Sequence, residues 1–240
     1  MKLNPLALFK EFLNYIATAD KSTWYKTPYY GVFQKITNVL TRINWCSMSA
    51  VFNHGVYWSL TETDHDFLRR SLKKNYYIVC TARKCHLTTF IIRAVSSLRG
   101  STVPYYSHVL MNVEGDNPMS DAEFRLIEAT GKGVHYSTFM QVFDCDSVAL
   151  LKPKNMTLED WTAALDEARK QYGKPYDDLF DLMDDTHLSC VELVRIALMK
   201  VPDYEKKFPH FEAMIKTERN LTPQMYYDCP DFEVVWEVKR

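Results

Sequence analysis

The chain lacks any uninterrupted apolar run of about eighteen residues, so no transmembrane helix is expected. It has only seven glycines in 240 residues, with 47% hydrophobic and 14% aromatic content, which argues against low-complexity or disordered tracts. Its formal net charge is -1, so nothing biases it toward nucleic acid or an anionic membrane. A secretory signal is also missing, because Lys10 and Glu11 interrupt the first apolar residues too early. The six cysteines (46, 80, 85, 145, 190 and 229) form no Cys-x-x-Cys pair, and without an export signal they are expected to be reduced thiols in a cytoplasmic setting. Cys80 and Cys85 resemble half a metal site with no second half, so no metal or other cofactor is expected.

What remains is enough apolar sequence for one core with an appended part. Residues 1–75 read as a helical N-terminal extension or cap, with apolar stripes at Leu6, Phe9, Leu13 and Ile16 and at Val32, Ile36, Val39 and Ile43. A third helix is expected to start near Thr61 or Thr63. In residues 76–240 the run Tyr76 to Cys80 reads as a buried strand, and 86–99 as a helix ending at Gly100. Strands are expected at 107–113, 124–129 and 147–152, and a helix at 157–172 capped by Thr157 and ended by Gly173. After an acidic loop come helices at 190–199 and 203–217 and a closing strand at 232–238. No internal repeat is visible, and the order of elements predicts an α+β fold rather than alternating βαβ units.

Three residues stand out chemically. Cys190 follows a polar loop and opens the apolar period Val191, Leu193, Val194, Ala197, Leu198. A thiol in the first turn of a helix meets unpaired N–H groups that favour thiolate and can hold an oxyanion. A buried structural cysteine fits the same pattern. His108 lies on a strand whose alternation groups it with Leu110 and Asn112, which suits either a rigidly held general base or a satisfied, half-buried histidine. Glu128, in Leu126-Ile127-Glu128-Ala129, orients His108 if the two strands pair, and is otherwise a solvent-facing edge residue.

These positions, with Gly173-Lys174-Pro175-Tyr176 and Leu188-Ser189-Cys190-Val191, resemble the circularly permuted, YiiX-like branch of the NlpC-type papain-like cysteine hydrolases. Gly133-Val134 and Ala149-Leu150-Leu151-Lys152-Pro153 fit the same pattern, and the resemblance covers roughly residues 76–238. It implies an antiparallel sheet facing a helix that carries the nucleophile Cys190 at its N-terminus. It also implies His108 as base, Glu128 as its orienting residue, and Tyr176 at the oxyanion site or substrate wall. Unpermuted relatives mostly place His, Asn or Gln at the third position, and the nucleophile motif here lacks the usual Asp before and Gly after. The resemblance implies attack on an amide, isopeptide or acyl (thio)ester carbon in a peptide, cell-wall peptide or acyl-lipid substrate. Two alternatives share the residues: an acyltransferase, and a papain-like interaction module without turnover. Neither the oligomeric state nor the role of the first 75 residues follows from the sequence.

Overall fold

The computed structural model describes residues 60–83, 105–113, 124–177, 185–217 and 221–239. The helices expected within residues 1–59 and at 86–99 lie outside that set, so the 1–75 extension is not described as a unit.

Six strands form one antiparallel sheet: β1 (Ile78–Ala82), β2 (His108–Asn112), β3 (Leu126–Thr130), β4 (Gly133–Ser137), β5 (Ser147–Pro153) and β6 (Phe232–Lys239). Their spatial order is β4-β3-β2-β1-β5-β6, and every neighbouring pair is antiparallel. The described helices are α1 (Glu62–Leu72), α2 (Phe139–Phe143), α3 (Leu158–Lys170), α4 (Cys190–Leu198), α5 (Tyr204–Lys207), α6 (Pro209–Thr217) and α7 (Pro223–Asp228). An antiparallel sheet with helices on it is the α+β class that the element order predicted.

Strand alternation divides the core into two layers. Ile78, Cys80, Val109, Met111, Ile127, Ala129, Ala149 and Leu151 face one way and pack with Trp161 and Leu165 of α3, Leu193, Val194 and Ala197 of α4, and Phe211 and Tyr226. Val79, Leu110, Leu126, Val148 and Leu150 face the other way and pack with Leu68 and Leu72 of α1 and Phe139 and Phe143 of α2. Side chains this deeply buried contribute about 1.5–3 kcal/mol each, which is why both faces of the central strands are apolar.

The helix starts follow local capping chemistry. Thr61 caps α1, Thr157 caps α3 and Ser189 caps α4, each in a reciprocal capping box with the residue three positions on. One expected helix divides, and some elements are new. The helix expected at 203–217 is two helices, because Pro209 cannot donate a backbone bond and Phe208 before it leaves the helical region (φ -127°, ψ 51°). β4, α2 and α7 were not foreseen: β4 is half polar, and the two helices are only five and six residues long. Asn112 is buried and structural, accepting from the Tyr77 N–H (2.5 Å) and donating to the Asn75 carbonyl (2.9 Å), which ties β2 to the end of α1.

One backbone clasp positions the second half of the chain. Val134 donates to the Lys174 carbonyl (2.8 Å), and Gly173 donates back to the Val134 carbonyl (2.9 Å). Leu188 then donates to the Pro175 carbonyl (3.0 Å), so β4, the Gly173 to Tyr176 segment and the start of α4 are linked in series. The close approach requires glycine at 133, where φ is +89° and an added Cβ would lie 2.4 Å from the Lys174 oxygen. Gly131 in the same hairpin has open space around it. Gly133→Ala is therefore expected to lower the unfolding free energy by about 2–4 kcal/mol in denaturant titrations, from backbone strain plus the clash. Gly131→Ala, the matched control, should change it by less than about 1 kcal/mol.

Candidate functional site

His108 opens β2, and Glu128 sits in the neighbouring β3. The pairing of Met111 with Ile127 and Asn112 with Leu126 places both residues on one face, diagonally related. Glu128 Oε2 lies 2.6 Å from His108 Nε2. The other carboxylate oxygen accepts from the Ser137 hydroxyl and lies 3.6 Å from His135 Nε2. His135 is aligned in turn, with its Nδ1 2.9 Å from the Gly133 carbonyl oxygen.

Cys190 is the first residue of α4 and is 3% exposed, while the His108 side chain is 24% exposed. The Cys190 thiol lies near enough to His108 to raise the proton affinity of the imidazole. Burial alone would push His108 down. The hydrogen bond and charge of Cys190, then those of Glu128, outweigh burial and raise the imidazole to about 10. For Glu128 burial pushes upward, but the hydrogen bond and charge of His108, with Ser137 and His135 behind them, hold it near 2. The three residues singled out in the sequence are thus neighbours: His108 and Glu128 in direct contact, with Cys190 acting on the imidazole.

The helix start that presents Cys190 has its own support. Ser189 donates to Glu192 Oε2 through its N–H (2.8 Å) and its hydroxyl (2.5 Å), and the Glu192 N–H donates back to the Ser189 hydroxyl at 3.4 Å. Glu192 is pushed up by burial and then by the charge of Asp177, with which it shares a hydrogen bond. The Gly173 to Asp177 segment is thereby coupled to α4. Tyr176 is half-buried on the core cluster that contains Cys190.

His135, Ser137, Asp177 and Glu192 were not singled out from sequence as site residues. The hairpin register would have supplied the first two: Thr130 pairs with Gly133 across Gly131-Lys132, which fixes Glu128 opposite His135. The Ser-x-x-Glu spacing at 189–192 was the signal for the last. Other histidines serve locally, His65 on the Phe143 carbonyl and His210 on Asp231.

No protein-family model and no curated protein matches the chain. Among solved structures it is similar to the metalloprotein YiiX of Escherichia coli O157:H7, with a TM-score of 0.50 and 18% identity, over 70% of this chain and 99% of that one. The chain shares the YiiX fold. At this identity the likeness speaks for the fold alone. Among the described residues no group of three or more His, Cys, Asp or Glu side chains is arranged to hold a metal ion. His108 Nε2 is engaged by Glu128 and His135 Nδ1 by the Gly133 carbonyl. No described helix is long and apolar enough to cross a membrane.

The two shifts set a pH window. Protonated His108 adds stability that is whole below about pH 6.5, its unfolded value, and is lost as pH rises through about 10. Ionised Glu128 adds stability that is whole above about 4.5 and is lost as pH falls through about 2. Both contributions are complete only between about pH 4.5 and 6.5. In an NMR titration the His108 ring should therefore stay protonated at about pH 8, where an ordinary histidine is neutral. Glu128→Gln and Cys190→Ser should each lower its midpoint by at least about one pH unit. A wild-type midpoint near 6.5 would show that the thiol and carboxylate do not hold the charge.

Proposed function

We propose that this chain is a permuted papain-like cysteine hydrolase that works through an acyl-thioester on Cys190. The observation that carries the reading is the contact of His108 with Glu128, with Cys190 near enough to charge the imidazole and seated at a helix N-terminus. The bond attacked is an amide, isopeptide or acyl (thio)ester, in a peptide, cell-wall peptide or acyl-lipid substrate.

The chemistry follows from the side chains. Cys190 Sγ, paired with protonated His108, adds to the acyl carbon. The first N–H groups of a helix have no intrahelical carbonyl, and that of Glu192 is taken by Ser189, so those of Cys190 and Val191 are placed for the oxyanion. His108 gives its proton to the leaving group as the tetrahedral adduct collapses to the thioester. Neutral His108 then takes a proton from water, whose oxygen adds to the thioester carbon, and collapse releases the acid and regenerates the charged pair. An acceptor other than water makes the same enzyme an acyltransferase. Glu128 keeps the imidazole oriented and charged, and Tyr176 forms part of the substrate wall.

The 3% exposure of Cys190 favours a second reading, a papain-like interaction module whose thiol never meets a substrate. Alkylation with iodoacetamide separates the two. The other described thiols start from a disadvantage: burial pushes Cys80 far up, and Cys145 and Cys229 up to about 12. At about pH 6 alkylation mapped by mass spectrometry should concentrate on Cys190 and fall at least tenfold, roughly, in His108→Ala. Slow labelling that rises only near the ordinary thiol value of about 8.5, with no dependence on His108, would sink the hydrolase reading and leave the module.

A further inference from the structure

A second cluster lies at the end of the sheet where β2 begins. Lys239, the last residue of β6, places its Nζ 4.4 Å from the Tyr227 ring centroid, 5.5 Å from that of Tyr105 and 5.9 Å from that of Tyr106. The rings meet at angles, Tyr105 with Tyr106 at 66° and Tyr106 with Tyr227 at 45°, so they wrap the ammonium on several sides. The Glu237 carboxylate lies 2.8 Å from the same Nζ, and the Tyr227 hydroxyl accepts from it at 2.9 Å. Tyr227 in turn donates to Glu237 (2.8 Å), as Tyr106 does more weakly (3.4 Å). Aromatic faces around a carboxylate make a cation site, and each face within about 6 Å attracts an ammonium.

We propose that Tyr105, Tyr106, Tyr227 and Glu237 form a subsite for a primary alkylammonium, the side chain of a lysine in a peptide ligand, and that Lys239 fills it in the resting chain. The choice of a primary amine rests on the hydrogen bonds. Glu237 and Tyr227 both accept from N–H donors, which a quaternary ammonium does not have. Access is open, since the Lys239 and Glu237 side chains are 34% and 38% exposed.

The position connects the subsite with the thiol chemistry. Thr81 pairs with His108, Ala82 with Ser147 and Ser147 with Lys239, so the cluster and His108 occupy the same end of the sheet. Three strand spacings separate β6 from β2, about 14 Å, which about four extended residues span. A lysine bound there would lie some four residues from the bond presented to Cys190. That link rests on the hydrolase reading; ammonium binding itself does not.

The test uses the full chain and Nα-acetyl-lysine methylamide, followed by NMR of the tyrosine rings and the Lys239 ε-methylene. In Lys239→Ala the probe should bind saturably and about tenfold more tightly than in wild type, where it has to displace Lys239. Lys239→Gln, which keeps more of the side chain, should behave alike. Adding Tyr227→Leu should remove binding, and the Nε-trimethyl probe should bind several-fold more weakly. Absence of saturable binding in both Lys239 variants, or binding indifferent to Tyr227→Leu, would overturn the proposal. A trimethyl probe that binds as well or better would also overturn it, pointing instead to a quaternary ammonium such as a lipid headgroup. Saturable binding with inert Cys190 would keep the subsite and remove the hydrolase; reactive Cys190 without binding would do the reverse.

Discussion

A carboxylate in the middle of a folded sheet is costly unless each of its oxygens is engaged, and the site is organised around that requirement. Glu128 is 7% exposed, and it is held ionised by His108 on one oxygen and by Ser137 and His135 on the other. Three consecutive positions in the strand order, β4, β3 and β2, are needed to satisfy it. The same constraint acts on His108 in reverse. Burial disfavours its charge, and the imidazole stays protonated only because Glu128 and Cys190 face it. Each group favours the charged form of the other, so the register between β2 and β3 is an electrostatic condition as much as a packing one.

The thiol joins this pair from a distant part of the sequence, and two backbone devices bring it in. The hairpin at Gly131-Lys132 sets His135 opposite Glu128, and its first β4 residues clasp Gly173 and Lys174. Pro175 then receives the Leu188 N–H, two residues before Cys190. A chain of main-chain bonds therefore runs from β4, beside the strand of Glu128, to the helix that begins at Cys190. Gly133 is the narrow point, because only a residue without a side chain lets the Lys174 carbonyl come so near.

Legibility in the sequence followed the length and periodicity of each element. α3, α4 and the strands around Val79, Leu110 and Leu150 announce themselves by apolar period, and α3 also by its cap at Thr157. The pairing of His108 with Glu128 was conditional on strand adjacency, which no local pattern contains; the fold supplies it through β2 beside β3. β4 escaped because Gly133-Val134-His135-Tyr136-Ser137 is half polar and presents no apolar face of its own. With β4 unseen, the Ser137 and His135 contacts to Glu128 were unseen too. The break at Phe208-Pro209 was legible in principle, since proline excludes the preceding residue from the helix, but the apolar period runs through it. The cluster at Lys239 had no sequence signal, since its tyrosines come from positions more than a hundred residues apart and meet only across the sheet end.

The motif segment and the nucleophile helix belong together for a reason that spacing alone does not express. Asp177 closes Gly173-Lys174-Pro175-Tyr176, and its carboxyl meets Glu192, which is already committed to capping Ser189. Two buried carboxyl groups in contact cannot both be charged at little cost, so one proton is shared between them and the contact becomes a hydrogen bond. That bond ties the first turn of α4 to the segment that ends at Asp177. Cys190 therefore begins a helix whose start is held twice, once by its own capping box and once by the segment carrying Tyr176. A rigid first turn is what holds the thiol near an imidazole on another element. The two halves of the motif then act as one structural unit, although an acidic stretch separates them in the sequence.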